Sequence, residues 1–112
     1  MSLPLTADQT YSAITLPAAT ATARTLLTAY AKTITIHVRN TGSTNAITAL
    51  RYRRYLRDAD TVPGPWIAVT ASLPIAAGAS WEMQISDDCA WEIEVELTST
   101  SGTTADLSVV GV

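Results

Sequence analysis

The stretch AWEIEVELT, residues 90–98, sets Trp91, Ile93, Val95 and Leu97 against Glu92, Glu94 and Glu96 in strict alternation. A period of two sends successive side chains to opposite faces of an extended chain, so this segment is a strand with one face buried and one polar. TITIHVRN, 33–40, repeats the pattern, with Ile34, Ile36 and Val38 on one face and Thr33, Thr35, His37 and Arg39 on the other. WEMQIS, 81–86, alternates Trp81, Met83 and Ile85 with Glu82, Gln84 and Ser86, and ADLSVVGV, 105–112, alternates through Leu107 and Val109. AITALRYRRYL, 46–56, and WIAVTAS, 66–72, read as two further strands. NTGSTN, 40–45, suits a hairpin between its flanking strands, and DADTVPGP, 58–65, Asp87–Asp88 and STSGTT, 99–104, are the remaining breaks. No window carries a capped helical stripe; ARTLLTAYAK, 23–32, has room for a helical turn or two at most.

Short strands recurring every 8–12 residues between turn formers define an all-β chain. The expected fold is an antiparallel β-sandwich, jelly-roll-like or Ig-like, of about seven or eight strands. Residues 1–24, rich in Ala and Thr with Pro4 and Pro17, show only a short alternation at Tyr11–Leu16 and read as an extended N-terminal arm with an edge strand. Residues 25–112 then form a single sandwich domain, a size suited to one core.

Composition narrows the function classes. Charged residues make up 15% of the 112 and the formal net charge is −3, against the basic field that a general nucleic-acid binder needs. Cys89 is the single cysteine, so no intrachain disulfide exists and packing must hold the fold. No basic region precedes an apolar core at the N-terminus and no apolar run approaches a membrane span, so the expectation is a protein made and used in soluble form.

Candidate sites follow from strand phase. LRYRRYLRD, 50–58, holds four of the seven basic residues; alternation puts Arg51, Arg53, Tyr55 and Arg57 on one face and Leu50, Tyr52, Arg54 and Leu56 on the other. Glu92, Glu94 and Glu96 form a stripe of opposite sign at the same two-residue spacing, which suits an Arg–Glu ladder within one sheet or between subunits. Arg51, Arg53, Arg57, Glu92, Glu94 and Glu96, with Trp66 beyond the Pro-Gly-Pro segment, are the candidate partner-binding residues. Trp81 and Trp91 are in phase with the core. His37 lacks companion ligands at zinc spacing, and Asp58, Asp60, Asp87 and Asp88 match no calcium loop, so no metal or cofactor is expected. Cys89 reads as a buried small hydrophobe, and no nucleophile elbow accompanies any serine. The expected protein is not an enzyme.

In their order, VRNTGSTNAITALRYR, WIAVTASLPIAAGASWEMQIS and WEIEVELTSTSGTTADLSVVGV resemble small β-sandwich structural proteins of tailed bacteriophages over residues 33–112. The resemblance implies a terminal hairpin closing on alternating valines. It also implies a virion protein made in the host cytoplasm, first of all a decoration or cement protein on the outer surface of the head. Such proteins, usually trimeric, clamp neighbouring major capsid subunits. Head–tail connection, tail or fibre attachment, and a carbohydrate- or receptor-binding module with Trp66 as its platform are the alternatives. The partners implied are the major capsid protein or other virion proteins and further copies of the chain, not nucleic acid or membrane.

Overall fold

A computed structural model describes residues 7–57, 61–86 and 89–112. They form eight strands: β1 (Ala7–Leu16), β2 (Thr22–Leu27), β3 (Thr33–Asn40), β4 (Ala49–Tyr55), β5 (Ile67–Val69), β6 (Ser80–Ser86), β7 (Glu92–Thr98) and β8 (Thr103–Gly111). Two four-stranded sheets result, in the orders β1-β8-β3-β6 and β2-β7-β4-β5, and every strand pairing is antiparallel. Along the chain the strands change sheet at each step except β4 to β5. This is the jelly-roll form of an antiparallel sandwich, two interleaved Greek keys, and it decides between the two sandwich types that strand spacing alone leaves open.

The topology corrects three local expectations. NTGSTN does not close a hairpin: it carries the chain from β3 in one sheet to β4 in the other. STSGTT likewise connects β7 and β8 across the layers, so the terminal hairpin is absent. Turn chemistry marks where a strand ends but not which neighbour it meets, and burial of each inward face decides that here. The 23–32 segment is strand β2 followed by left-handed backbone at Ala29 (φ 49°) and Tyr30 (φ 60°), not helix.

Residues 7–24 are also built into the sandwich. β1 pairs with β8 along its whole length, broken by a register shift between Tyr11 and Ile14 where Ala13 N donates to Asp106 Oδ1 at 2.8 Å. Ala7, Ile14 and Leu16 are buried, and β2 pairs with β7 from Thr22 onward. The segment is the expected edge strand and a crossing to the second sheet, so its described part belongs to the sandwich body.

The core is the set that alternation selects. Ile36 lies between Met83 and Val109 and Val38 between Trp81 and Leu107 in one sheet; Leu50, Tyr52, Ile93, Val95 and Leu97 meet them from the other. Burying each such side chain contributes about 1.5–3 kcal/mol, in a chain without a disulfide to assist.

Asn40, at the end of β3, is fully buried. Its Nδ2 donates to Asn45 O (2.8 Å) and Ile75 O (3.0 Å), while Oδ1 accepts from Gly42 N (3.1 Å) and Thr103 Oγ1 (2.9 Å). All four bonding positions of the amide are filled. Gly42 has to be glycine: a Cβ there would stand 1.9 Å from Thr103 Oγ1. Asn40→Ala should therefore remove four hydrogen bonds, leaving Asn45 O, Gly42 N and Thr103 Oγ1 without this partner while Ile75 O keeps its bond from Ile47 N, and lower unfolding free energy by about 3 kcal/mol. Urea denaturation checks this, with an unchanged slope and a lower midpoint expected.

Candidate functional site

On the outer face of the β2-β7-β4-β5 sheet, β4 and β7 run antiparallel in a register that sets Arg51 opposite Glu96 and Arg53 opposite Glu94. Arg51 donates from Nε to Glu96 Oε1 (2.6 Å) and from Nη2 to Oε2 (3.2 Å), a two-pronged pair. Arg53 Nε donates to Glu94 Oε1 at 2.5 Å. The hydrogen bond to Glu96 holds the Arg51 guanidinium above its ordinary pKa, helped by the charges of Glu96 and Glu94 and opposed by desolvation.

Trp66 completes the group. Gly64 N donates to Arg54 O at 2.8 Å, folding the Pro-Gly-Pro segment back onto β4. The indole then meets both arginines, with guanidinium carbons 4.2 Å (Arg51) and 4.3 Å (Arg53) from its ring centroid. Each arginine thus holds a carboxylate and an aromatic ring at once. The structure brings together Arg51, Arg53, Trp66, Glu94 and Glu96; it leaves Glu92 opposite Leu27 and Tyr55, and Arg57 exposed past the end of β4. Of the two forms of the ladder, the one within a single sheet is realised.

Other singled-out residues fall elsewhere. Trp81 is buried and its Nε1 donates to Ala71 O, but Trp91 is half-buried outside the core, its ring 5.1 Å from that of Tyr30. Cys89 is exposed, contrary to expectation, on left-handed backbone (φ 52°) beside Ala90, which takes the buried position instead. His37 is half-buried between Glu82 and Ser108 on neighbouring strands. Among the described residues no three His, Cys, Asp or Glu side chains gather as a metal site would require. Asp58, Asp60, Asp87 and Asp88 lie outside the described residues.

Strand phase misses a second feature. The described large apolar side chains left exposed are Leu27, Tyr30, Leu56, Val62, Ile67, Val110 and Val112. Apart from Ile67, which stands opposite the middle of β4 on the edge strand β5, they belong to one end of the sandwich, where β2, β4, β6 and β8 finish and β1, β3 and β7 begin. Leu56 is 56% exposed, Tyr30 49% and Val62 80%. Tyr30 is held outward by a rigid turn: Thr28 N and Ala29 N donate to Trp91 O, Tyr30 N donates to Ala90 O, and Cys89 N donates to Ala31 O. Buried Thr28 adds Oγ1 to Ala90 O at 2.6 Å. The left-handed conformations of Ala29 and Tyr30 cost about 1–3 kcal/mol each and persist because these bonds dictate them. The opposite end carries no exposed large apolar side chain in its loops, which are described in full. Only the arrangement of loops in space groups these residues, and no single segment of sequence signals it.

No family model and no curated protein matches the sequence. Among solved structures, the fold is similar to chitosan-binding module 1 from a chitosanase/glucanase of Paenibacillus sp. IK-5, with TM-score 0.52, 9% identity, and 92% of this chain and 74% of that one covered. A variant of that module aligns with TM-score 0.53 and 11% identity, covering 93% and 75%. The SPBc2 prophage-derived protein YomS aligns over 99% of both chains with 12% identity and TM-score 0.45. At such identities the likeness is one of fold.

Arg53 and Glu94 should couple by about 0.5–1 kcal/mol in a double-mutant cycle with alanine, read from denaturation midpoints. The coupling should shrink in 1 M salt, where the screening length falls to about 3 Å. Trp66→Ala should reduce it further by freeing the Arg53 side chain.

Proposed function

We propose that this chain is a non-enzymatic virion structural protein of a tailed bacteriophage. Its place is the outer surface of the head, as a decoration protein joining neighbouring major capsid subunits. The observation that carries the reading is the one-sided distribution of exposed apolar side chains: one end of a rigid jelly roll presents Leu27, Tyr30, Leu56, Val62 and Val112, and the other satisfies its polar groups internally. A body that adheres by one end and meets water with the other suits a protein that stands on a lattice. The order of sequence pieces that resembles phage sandwich proteins supports the same reading.

The ladder serves this role as a brace and not as the contact. Arg51 and Arg53 are already held by Glu96 and Glu94, so a partner carboxylate would have to displace them. For the same reason a sugar stacking on Trp66 would compete with guanidinium groups already clamped in place. Attachment is assigned instead to the apolar end, where a few large side chains supply most of the binding energy. A trimer offers three such ends to one lattice position and gains strength through multivalency.

The test is co-sedimentation of the purified chain with phage heads stripped of it, alongside its mass in solution by light scattering. Saturable binding of a trimer is expected. Tyr30→Ser together with Leu56→Ser should weaken binding at least tenfold, since each lost apolar contact is worth about 1.5–3 kcal/mol, with little change in thermal midpoint. Undiminished binding by the double variant would overturn the assignment.

A further inference from the structure

β5 ends after three residues, and its departure opens the sheet. β4 extends back from Leu50 to Ala49, but the paired strand turns away after Val69. The chain comes back through Leu73 and Pro74 to the bridge between Ile75 and Ile47. The space so left is an open cleft of about 480 Å³ on the same face as the ladder, within the size range of small-molecule sites. It exists because Ala49 and Ala68 are small where their neighbours on this face, Arg51 and Glu96, are long.

We propose that this cleft binds a short, neutral saccharide. Its floor and one wall are apolar, supplied by Ala49, Ala68, Leu73 and Pro74, which fits the C–H face of a pyranose ring. At one end stands the Arg51–Glu96 pair. Two guanidinium N–H groups are engaged with Glu96, and three donors remain on Arg51 with acceptor capacity on the carboxylate. A hydroxyl-rich ligand can donate to Glu96 and accept from Arg51 together without parting them. An anion or a cation would be attracted by one member, repelled by the other, and satisfied only by breaking the two-pronged bond.

Preorganisation favours the same ligand class. Arg51 is fixed by Glu96 on one side and stacked on Trp66 at 4.2 Å, so little side-chain freedom remains to be lost on binding. An extended peptide is the poorer fit, because strand addition needs a run of main-chain partners and β5 offers three residues. This site is separate from the apolar end, and either assignment can fail without the other.

The stacking of Arg51 on Trp66 supplies a reporter. Titration of the full chain with maltotriose, cellotriose and tri-N-acetylchitotriose should produce a saturable change in tryptophan emission with at least one of them. Trp66→Phe should remove the emission change, while amide shifts at Ala49, Ala68 and Thr70 persist in NMR spectra of that variant. Ala49→Leu, which fills the cleft on an outward position, should weaken binding at least tenfold at unchanged thermal midpoint. Absence of amide shifts up to about 10 mM of every neutral sugar, equal binding by Ala49→Leu, or tighter binding of charged sugars or an extended peptide would each overturn the proposal.

Discussion

The buried amide of Asn40 fixes the point at which the chain leaves one sheet for the other. It ties β3 to the β3–β4 connection through Asn45, to the β5–β6 connection through Ile75, and to β8 through Thr103. Asn45 extends the network to Ser101 and Gly102, and Ser99 reaches Ala46. A jelly roll has to route its connections across the open ends of the sandwich, where backbone polar groups have no ladder to complete. Side-chain amides and hydroxyls meet that demand at this end, consistent with the weight of Thr, Ser and Asn in its loops.

The opposite end solves the same problem with main chain. The β2–β3 turn is pinned to residues 89–91 by successive backbone bonds, to which Thr28 Oγ1 adds one to Ala90 O. Tyr30 faces outward because its backbone is already committed, and Trp91 supports it from outside the core. The difference between the two ends is thus a difference in which groups satisfy the crossings, and it leaves apolar surface at only one of them.

Much of this was legible in alternation. Ile34, Ile36, Val38, Ile93, Val95, Leu97, Leu107 and Val109 are all buried in the phase their spacing dictates. The opposed Arg and Glu stripes do meet, since a two-residue period on neighbouring strands brings charge to charge once the register is set. Strand partners were not legible: NTG and SG turns look alike whether the chain folds back or crosses layers, and the distinction is made by contacts distant in sequence, such as Thr103 against Asn40. Residues 1–24 read as an extended arm with an edge strand because Ala and Thr give weak alternation; within the described part, 7–24, Ile14 and Leu16 are buried and anchor that edge strand to β8. The exposed apolar end and the cleft were hidden for the same reason, as each is assembled from segments far apart along the chain.

Closing the charges of the outer face upon themselves has a consequence for how such a surface can recognise anything. Four of the strand positions that would otherwise project free charge are instead bound in pairs, and Trp66 lies against two of the side chains involved. Long-range steering by this face is therefore weak, because paired opposite charges cancel beyond a few ångströms. The recognition proposed for the apolar end and the cleft therefore rests on shape and short-range contact rather than on net charge. The ladder ties β4 to β7 at two successive outward positions, Arg51–Glu96 and Arg53–Glu94, directly beside the place where β5 leaves the sheet and the cleft begins.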